Sequence, residues 1–481
     1  MKKSLLLATS LLLAFISVAQ PEKMKAAFDG YLQQYHDVRQ LSGVVMVGMQ
    51  GHVMYKNALG WSDPKANKKL EGQELFGIGS TTKLFTAVLV MQQVEKGVLQ
   101  LNDPLAKWIP EIKLDNAKKI TIKHLLQHTA GLGNYMNHPM FGKLMGFGKI
   151  KSIDDLLPLI EGMPVSNQEP GTAYRYSNSG YILLGKVLEN ATKLSYHALL
   201  QQSILTPLQL KESFPVLASH HNSLAQPYRF VDANHFIHYP NADTIKCFPD
   251  GGLVMSVSNL FRFSNALINH QLVKPATLQQ MITDTVKMDK NSWYGLGVIS
   301  ESIGGKTWIG HDGFSKGYSV DLKILPAEKG ILISMFNNNG VSSVQINKSI
   351  IEMIEQGKQP VAPKPYLWKL LHEHYKSAAT ISLADMNAVL KEKGYTPLTS
   401  PMQIIQLTVD LYEAGLLDIS VELSQLNLRF YPNEIIAYNS LAEAYADMKD
   451  TAKAIEFFKQ ALKIDAKDEY ATKRLKELGA L

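Results

Sequence analysis

The chain has 481 residues, too many for one ordinary domain and enough for a sizeable core. Its 46% hydrophobic and 19% charged residues and formal charge of +6 are those of a folded globular protein, and without a basic block interleaved with aromatics they argue against nucleic acid as a partner. The single cysteine, Cys247, excludes an internal disulfide and a cysteine-based metal site.

The chain starts Met1-Lys2-Lys3, continues apolar over 5–18 and reaches Ser17-Val18-Ala19-Gln20. A basic start, a short apolar core and small residues at a cut site predict a signal peptide over 1–19. The mature protein is then expected in the periplasm or outside the cell, with no stable membrane span. Residues 22–40 predict an amphipathic helix with Met24, Ala27, Phe28, Tyr31, Leu32 and Tyr35 on one side. Strand-like runs at 44–49 and 53–58, joined through Gln50-Gly51-His52, predict a hairpin. A helix is expected from Ser80 to Lys96-Gly97.

From about 98 to 250 the pattern is helical and loop-rich, with helices beginning near Lys151, Tyr181 and Ser258. Strands return at 294–299, 306–310, 318–324 and 331–336. In the third of these, Tyr318, Val320, Leu322 and Ile324 alternate with Ser319, Asp321 and Lys323, which predicts a half-buried strand. A helix over 342–356 follows. Early strands, late strands and helices between them indicate an α+β fold: an antiparallel sheet flanked by helices, with an inserted helical subdomain.

The Pro-rich run Gln359-Pro360-Val361-Ala362-Pro363-Lys364-Pro365 marks a linker. Beyond it the chain is all α, and a 34-residue period places Tyr438, Leu441, Ala442, Tyr445, Ala454, Phe458 and Ala461 at tetratricopeptide positions. A weaker unit precedes it at 401–434, and 467–481 would cap the array. Because two units fall short of the usual three, residues 366–400 supply a third helical pair or the helices lean on the preceding domain. The expected division is 1–19 signal peptide, 21–358 first domain, 359–400 linker and helical region, and 401–481 repeats.

Three short elements carry candidate chemistry. Ser80 and Lys83 stand three apart at a helix start, on one face. A lysine there, followed by an apolar run, is expected to be buried and lowered in pKa, and a hydroxyl beside it is a candidate nucleophile. Ser62-Asp63-Pro64-Lys65 has the same spacing but sits in a turn. Tyr176 is a candidate base if Lys83 draws its phenol down, and Asn178 would orient Lys83 and a substrate amide. His311 is expected at a strand end facing the pocket, with Gly313 letting substrate approach the backbone. Tyr176 as a packed loop aromatic, Asn178 as a helix cap and His311 as an ordinary strand histidine are the alternatives. Tyr-x-Asn also occurs at Tyr55 and Tyr135, and His128, before a turn, is read as structural, bonding backbone.

Together these motifs resemble the serine β-lactamase and penicillin-binding-protein-like superfamily, in the branch of class C β-lactamases, D-alanyl-D-alanine carboxypeptidases and related esterases. The resemblance spans about 25–355 and includes Leu125 to Leu132, Pro170-Gly171, Gly251-Gly252-Leu253, Tyr294-Gly295-Leu296-Gly297, and Gly310-His311-Asp312-Gly313 followed by Gly317-Tyr318-Ser319. It implies a β-lactamase/transpeptidase-like fold and no cofactor or metal. Ser80 would be the acylated nucleophile, Lys83 its proton-transfer partner, and Tyr176 the base and then acid. Asn178, His311 and Gly313 would contact substrate, and the N–H groups of Ser80 and Phe314 would form the oxyanion hole. β-Lactamases of this branch usually carry lysine where this chain has His311, which places efficient β-lactam hydrolysis in doubt.

A second serine, in Gly313-Phe314-Ser315-Lys316-Gly317, fits G-x-S-x-G, but a strand follows instead of the helix that motif requires. His372-Glu373-His374 and His220-His221 lack the spacing of a metalloprotease site. The sequence therefore predicts a serine hydrolase cleaving an amide or ester: a D-alanyl peptide, a β-lactam, a small ester or a D-amino-acid amide. The alternative is a non-catalytic peptide-binding or scaffold protein that uses its C-terminal repeats to hold a protein partner. Specificity is expected in loops such as 133–150 and 218–248.

Overall fold

The computed structural model describes residues 22–166, 168–211, 213–214, 223–239, 246–315, 317–377 and 380–481. The signal-peptide reading of 1–19, His220-His221 and part of the 218–248 loop lie outside the described residues. The chain falls into two compact units, one of 22–37, Leu41–Tyr228 and Tyr239–Ala362, the other of Val38–Gln40, Arg229–His238 and Pro363–Leu481.

The first unit opens with helix α1 (22–39) and the hairpin β1 (Gly43–Met49) and β2 (His52–Leu59). Of the expected face of α1, Phe28, Tyr31 and Leu32 are buried, while Met24 and Ala27 are exposed: the helix meets the core only from its second turn. Helix α2 (Thr82–Glu95) follows a 3-10 turn at Gly79–Thr81. After several short helices, including Leu105–Trp108, Ile122–Leu126, Phe141–Gly146 and Leu157–Glu161, the longer helices are α3 (Asn178–Thr192) and, further on, α4 (Val257–Ile268). The strands β3 (Val286–Lys287), β4 (Ser292–Tyr294), β5 (Ile299–Ile303), β6 (Lys306–Ser315), β7 (Tyr318–Leu325) and β8 (Gly330–Phe336) precede α5 (Ser343–Gln356). They form one antiparallel sheet in the order β3-β4-β5-β6-β7-β8-β1-β2.

The period of two in each strand explains the layers. Val44 and Met46 of β1, with Ile331, Ile333 and Met335 of β8, pack into one core with α2, α3 and α4. Val45, Val47, Leu332 and Phe336 point the other way, against Phe28 and Leu32 of α1 and Ile346 and Ile350 of α5. The sheet is thus sandwiched between helices.

Two strands depart from expectation. The run 294–299 is not one strand: Gly295 N–H donates to the Val298 carbonyl at 2.7 Å, closing a turn between β4 and β5. A side chain at Gly297 would come within 2.2 Å of Ala87, so α2 passes too close for the strand to continue there. Strand β7 alternates as expected, yet all eight residues are buried. Its polar side is covered by α5 and β5 rather than by water. Ser319 Oγ meets Ser343 Oγ at 2.8 Å, Asn347 donates to the Asp321 carboxylate at 2.8 Å, and Lys323 pairs with Glu301.

The second unit contains α6 (Leu367–Ser377), α7 (Leu383–Glu392), α8 (Met402–Glu413), α9 (Leu417–Phe430), α10 (Ile435–Asp447), α11 (Thr451–Ile464) and α12 (Glu469–Glu477). Leu371, Met386, Leu390, Ile404, Leu411 and Leu423 share one core, so 366–400 does supply a third helical pair. Among the described residues no helix is long and apolar enough to cross a membrane.

Candidate active site

The site is built where α2 begins. The short strand Leu75–Gly77 pairs with Val254–Ser256, and Ile78 N–H donates to the Leu253 carbonyl at 2.9 Å. This fixes the 3-10 turn that carries Ser80. Gly79 takes φ +50°, and a side chain on it would lie 2.7 Å from the carbonyl oxygen and 2.8 Å from the nitrogen of Phe314. The Ser80 turn and the end of β6 therefore touch backbone to backbone.

Ser80 Oγ lies 3.0 Å from Lys83 Nζ and 2.8 Å from the Tyr176 hydroxyl, which donates to it. Tyr176, 96 residues on in the chain, thus joins Ser80 and Lys83 around one hydroxyl. Lys83 is 0% exposed and also donates to the Asp250 carbonyl at 2.5 Å. Burial pulls it down from the ordinary lysine range to about 8, with the Asp250 and Asp312 carboxylates opposing. A neutral amine is thus accessible near physiological pH.

Tyr176 behaves differently from expectation. It retains 38% exposure, but its phenol is raised above the ordinary tyrosine value, first by burial of its hydroxyl end, with only the Ser80 hydrogen bond lowering it among the main causes. The ring sits 5.0 Å from Lys83 Nζ, yet the lysine does not draw the phenol down. Lys83, lowered to about 8, has lost its proton before a tyrosine ionises and so offers no charge to a phenolate.

Asn178 also departs from its expected place. Its side-chain nitrogen donates to Met136 Sδ at 3.3 Å, not to Lys83, whose hydrogen-bond partners are Ser80 and Asp250. As the first residue of α3 it is directed at the 135–137 turn, and its Oδ1 is buried without a hydrogen-bond partner. It does not cap the helix; that place belongs to Ser177.

His311 lies inside β6 and is buried, not at a strand end facing a pocket. Its Nδ1 donates to the Asp312 carbonyl at 2.6 Å, which leaves Nε2 to accept from the Tyr294 hydroxyl at 2.9 Å. Both ring nitrogens are occupied, and burial lowers the ring to about 4, partly opposed by Asp312. Gly313 has another duty than expected: a side chain there would stand 2.0 Å from the Ile78 carbonyl oxygen and 2.9 Å from Thr81 Oγ1. Its bareness admits the chain's own Ser80 turn. The Phe314 side chain is 53% exposed beside it. Ser315 ends β6 and β7 follows, a hairpin rather than a strand–helix elbow.

Sequence reasoning missed Asp250, Tyr135, Tyr181 and Tyr294. The Tyr135 hydroxyl donates to the Asp250 carboxylate at 2.9 Å, and Tyr181 lies 5.6 Å from Lys83 Nζ, ring centre to nitrogen. No spacing ties position 250 to position 83; only the pairing of 75–77 with 254–256 brings them together. Among the described residues no three His, Cys, Asp or Glu side chains converge as a metal set.

Known proteins resemble this chain in sequence and in fold. The chain is 29% identical over 301 residues to Penicillin-binding protein 4* of Bacillus subtilis, covering 58% of this chain and 64% of that protein. It is 28% identical over 235 residues to Esterase EstB of Burkholderia gladioli, covering 44% of this chain and 57% of that one. The chain thus spans less than two thirds of either relative. Among solved structures, a D-stereospecific amidohydrolase from Streptomyces sp. superimposes with a TM-score of 0.60 at 24% identity, covering 69% of this chain and 99% of that one, a likeness of fold. Residues 435–468 match the tetratricopeptide repeat, so the second unit carries at least one such repeat. With the beta-lactamase family matched over residues 28–352, more than half of the sequence and all of the Ser80 site, the chain belongs to that family.

Proposed function

We propose that the protein is a serine hydrolase that passes through an acyl-enzyme on Ser80. The observation that carries this reading is the single oxygen, Ser80 Oγ, held within hydrogen-bond reach of both Lys83 Nζ and the Tyr176 hydroxyl. Lys83, neutral in part and steadied by its bond to the Asp250 carbonyl, accepts the Ser80 proton as Oγ attacks the acyl carbonyl. The oxyanion forms against the backbone N–H groups of Ser80 and Phe314, a reading supported by the close backbone approach of Gly79 to Phe314. Tyr176, kept a neutral phenol, gives its proton to the leaving group and regains one from Lys83. Water then attacks the ester carbonyl with the same groups in reverse.

The substrate presents an acyl carbonyl: a D-alanyl peptide, a β-lactam, a small ester or a D-amino-acid amide. The unpartnered Oδ1 of Asn178 supports acceptance of a substrate N–H. The occupied ring of His311 supports poor recognition of β-lactams relative to esters and amides. The basic start, apolar stretch and Ala19 support export to the periplasm or medium. The C-terminal repeats are read as a surface for a protein partner; within that unit a cavity of about 610 Å³ is lined by Tyr412, Ile435, Ile436 and Tyr470.

The test is the mass of the adduct formed with a fluorophosphonate or penicillin probe in wild type and Ser80→Ala. Label on Ser80 alone is expected. Label that persists in Ser80→Ala, or that maps to Ser315, would overturn the reading.

A further inference from the structure

His128 stands directly behind Tyr176, and it holds the chain on both sides of that residue. Its carbonyl accepts from Arg175 N–H at 2.7 Å, and its Nδ1 accepts from Ser177 N–H at 3.2 Å. Between these two bonds its ring lies against the Tyr176 ring, centroids 4.3 Å apart. One residue thus holds the N–H of Arg175, the N–H of Ser177 and the face of the Tyr176 ring between them.

We infer that His128 is the positioning residue of Tyr176, setting the phenol oxygen at its distance from Ser80; this rests on the reading of Ser80 as nucleophile. Since Nδ1 accepts, the neutral ring carries its proton on Nε2, which is buried with no hydrogen-bond partner. Tyr174, Tyr181 and Tyr294 surround the ring, with Tyr174 and Tyr294 edge-on at 6.0 and 4.7 Å. A buried N–H among aromatic rings, with no hydrogen-bond partner, carries a cost that an apolar side chain would avoid. His128 also takes φ +56°, a conformation costly for a residue with a side chain. That backbone turns its carbonyl and its ring to the same strip of chain, and both features become intelligible if the strip must be held in one place. Histidine fits the site because it carries an acceptor within a flat ring; phenylalanine has the ring alone and asparagine the acceptor alone.

The experiment is a double-mutant cycle on Ser80 labelling by a fluorophosphonate, followed by intact mass, with thermal unfolding recorded for each variant. His128→Gly relaxes the backbone and removes the acceptor and the ring; labelling is expected to slow about 10²-fold, the effect of a misplacement near 1 Å. His128→Asn tolerates positive φ and returns an acceptor to the Nδ1 position; it is expected to recover most of that loss. In a Tyr176→Phe background, His128→Gly is expected to cost less than about 3-fold more, because the hydroxyl it positions is already gone. Should His128→Gly not fold, His128→Gln, with no acceptor at the Nδ1 place, replaces it in the cycle. Equal losses in the two backgrounds, or a His128→Asn as slow as His128→Gly, would overturn the inference. An unlabelled Ser80 in wild type would remove the nucleophile reading itself, and the clamp with it.

Discussion

Tyr135 donates to the buried carboxylate of Asp250 at 2.9 Å, and the carbonyl of that same Asp250 receives the ammonium or amine of Lys83 at 2.5 Å. The loop at 133–150 is therefore joined through one residue to Lys83, the group proposed to take the Ser80 proton. Burial raises the Asp250 carboxyl, while Lys83 and then Tyr135 lower it. Tyr135→Phe strands a buried acceptor and is expected to destabilise by about 1–3 kcal/mol, read by denaturant unfolding. An unchanged midpoint would show that water satisfies the carboxylate instead.

Activity should rise with pH through about 8, as Lys83 loses its proton, seen as the acid limb of kcat/KM on a p-nitrophenyl ester. Lys83 faces the Asp250 and Asp312 carboxylates, which oppose its lowering. Asp250→Asn removes one of them, so the limb should move to lower pH. A limb that moves up would contradict this placement of charge.

The same shift has a stability counterpart. Folded Lys83 titrates near 8 and the unfolded side chain near the ordinary lysine value of 10.5, so between these the unfolded chain binds more protons. Stability should therefore rise with pH across that window, and the penalty of a buried ammonium should be complete below it. The comparison is wild type minus Lys83→Met, so that the titrating tyrosines cancel. A difference that falls over pH 8 to 10.5 would refute the sign.

Gly313→Ala places a methyl 2.0 Å from a backbone carbonyl that cannot swing aside, and should displace the Ser80 turn. Labelling of Ser80 is expected to fall about 10²-fold or more. Gly251→Ala is the matched control. Its nearest neighbour would be Gly79 O at 3.7 Å, an ordinary contact, and labelling should stay near wild type.

In the second unit Leu390 is fully buried beside Leu371 and Ile404. Leu390→Ala should cost about 2–5 kcal/mol, measured as an earlier unfolding transition of that unit. No change would mean that the pair α6–α7 adds nothing to the array's stability.

Much of this was legible in the sequence. Ser80, Lys83 and Tyr176 were found because each sits in a short local pattern, and the β-sheet was found because its strands alternate. What escaped was whatever depends on a partner remote in the chain. The alternation of Tyr318 to Ile324 looked like a wet face because nothing nearby announces that Ser343 and Asn347 will cover it. His311 looked like a pocket residue because its partner, Tyr294, belongs to another strand. The lowering of Lys83 could be foreseen from the apolar run after it, whereas the raised phenol of Tyr176 could not, since its burial is made by the fold as a whole.

Strand β7 carries hydrocarbon on one side and hydroxyl, carboxylate and ammonium on the other, and each side has a matching wall. A slip of one residue against its neighbours would press Val320 and Leu322 onto the amide of Asn347 while sealing Asp321 and Lys323 in oil. Both walls reject the shifted alignment at once. The Ser80 pocket borrows that intolerance, because β6 hangs on β7 and brings Phe314 to Gly79 only when the ladder is in step.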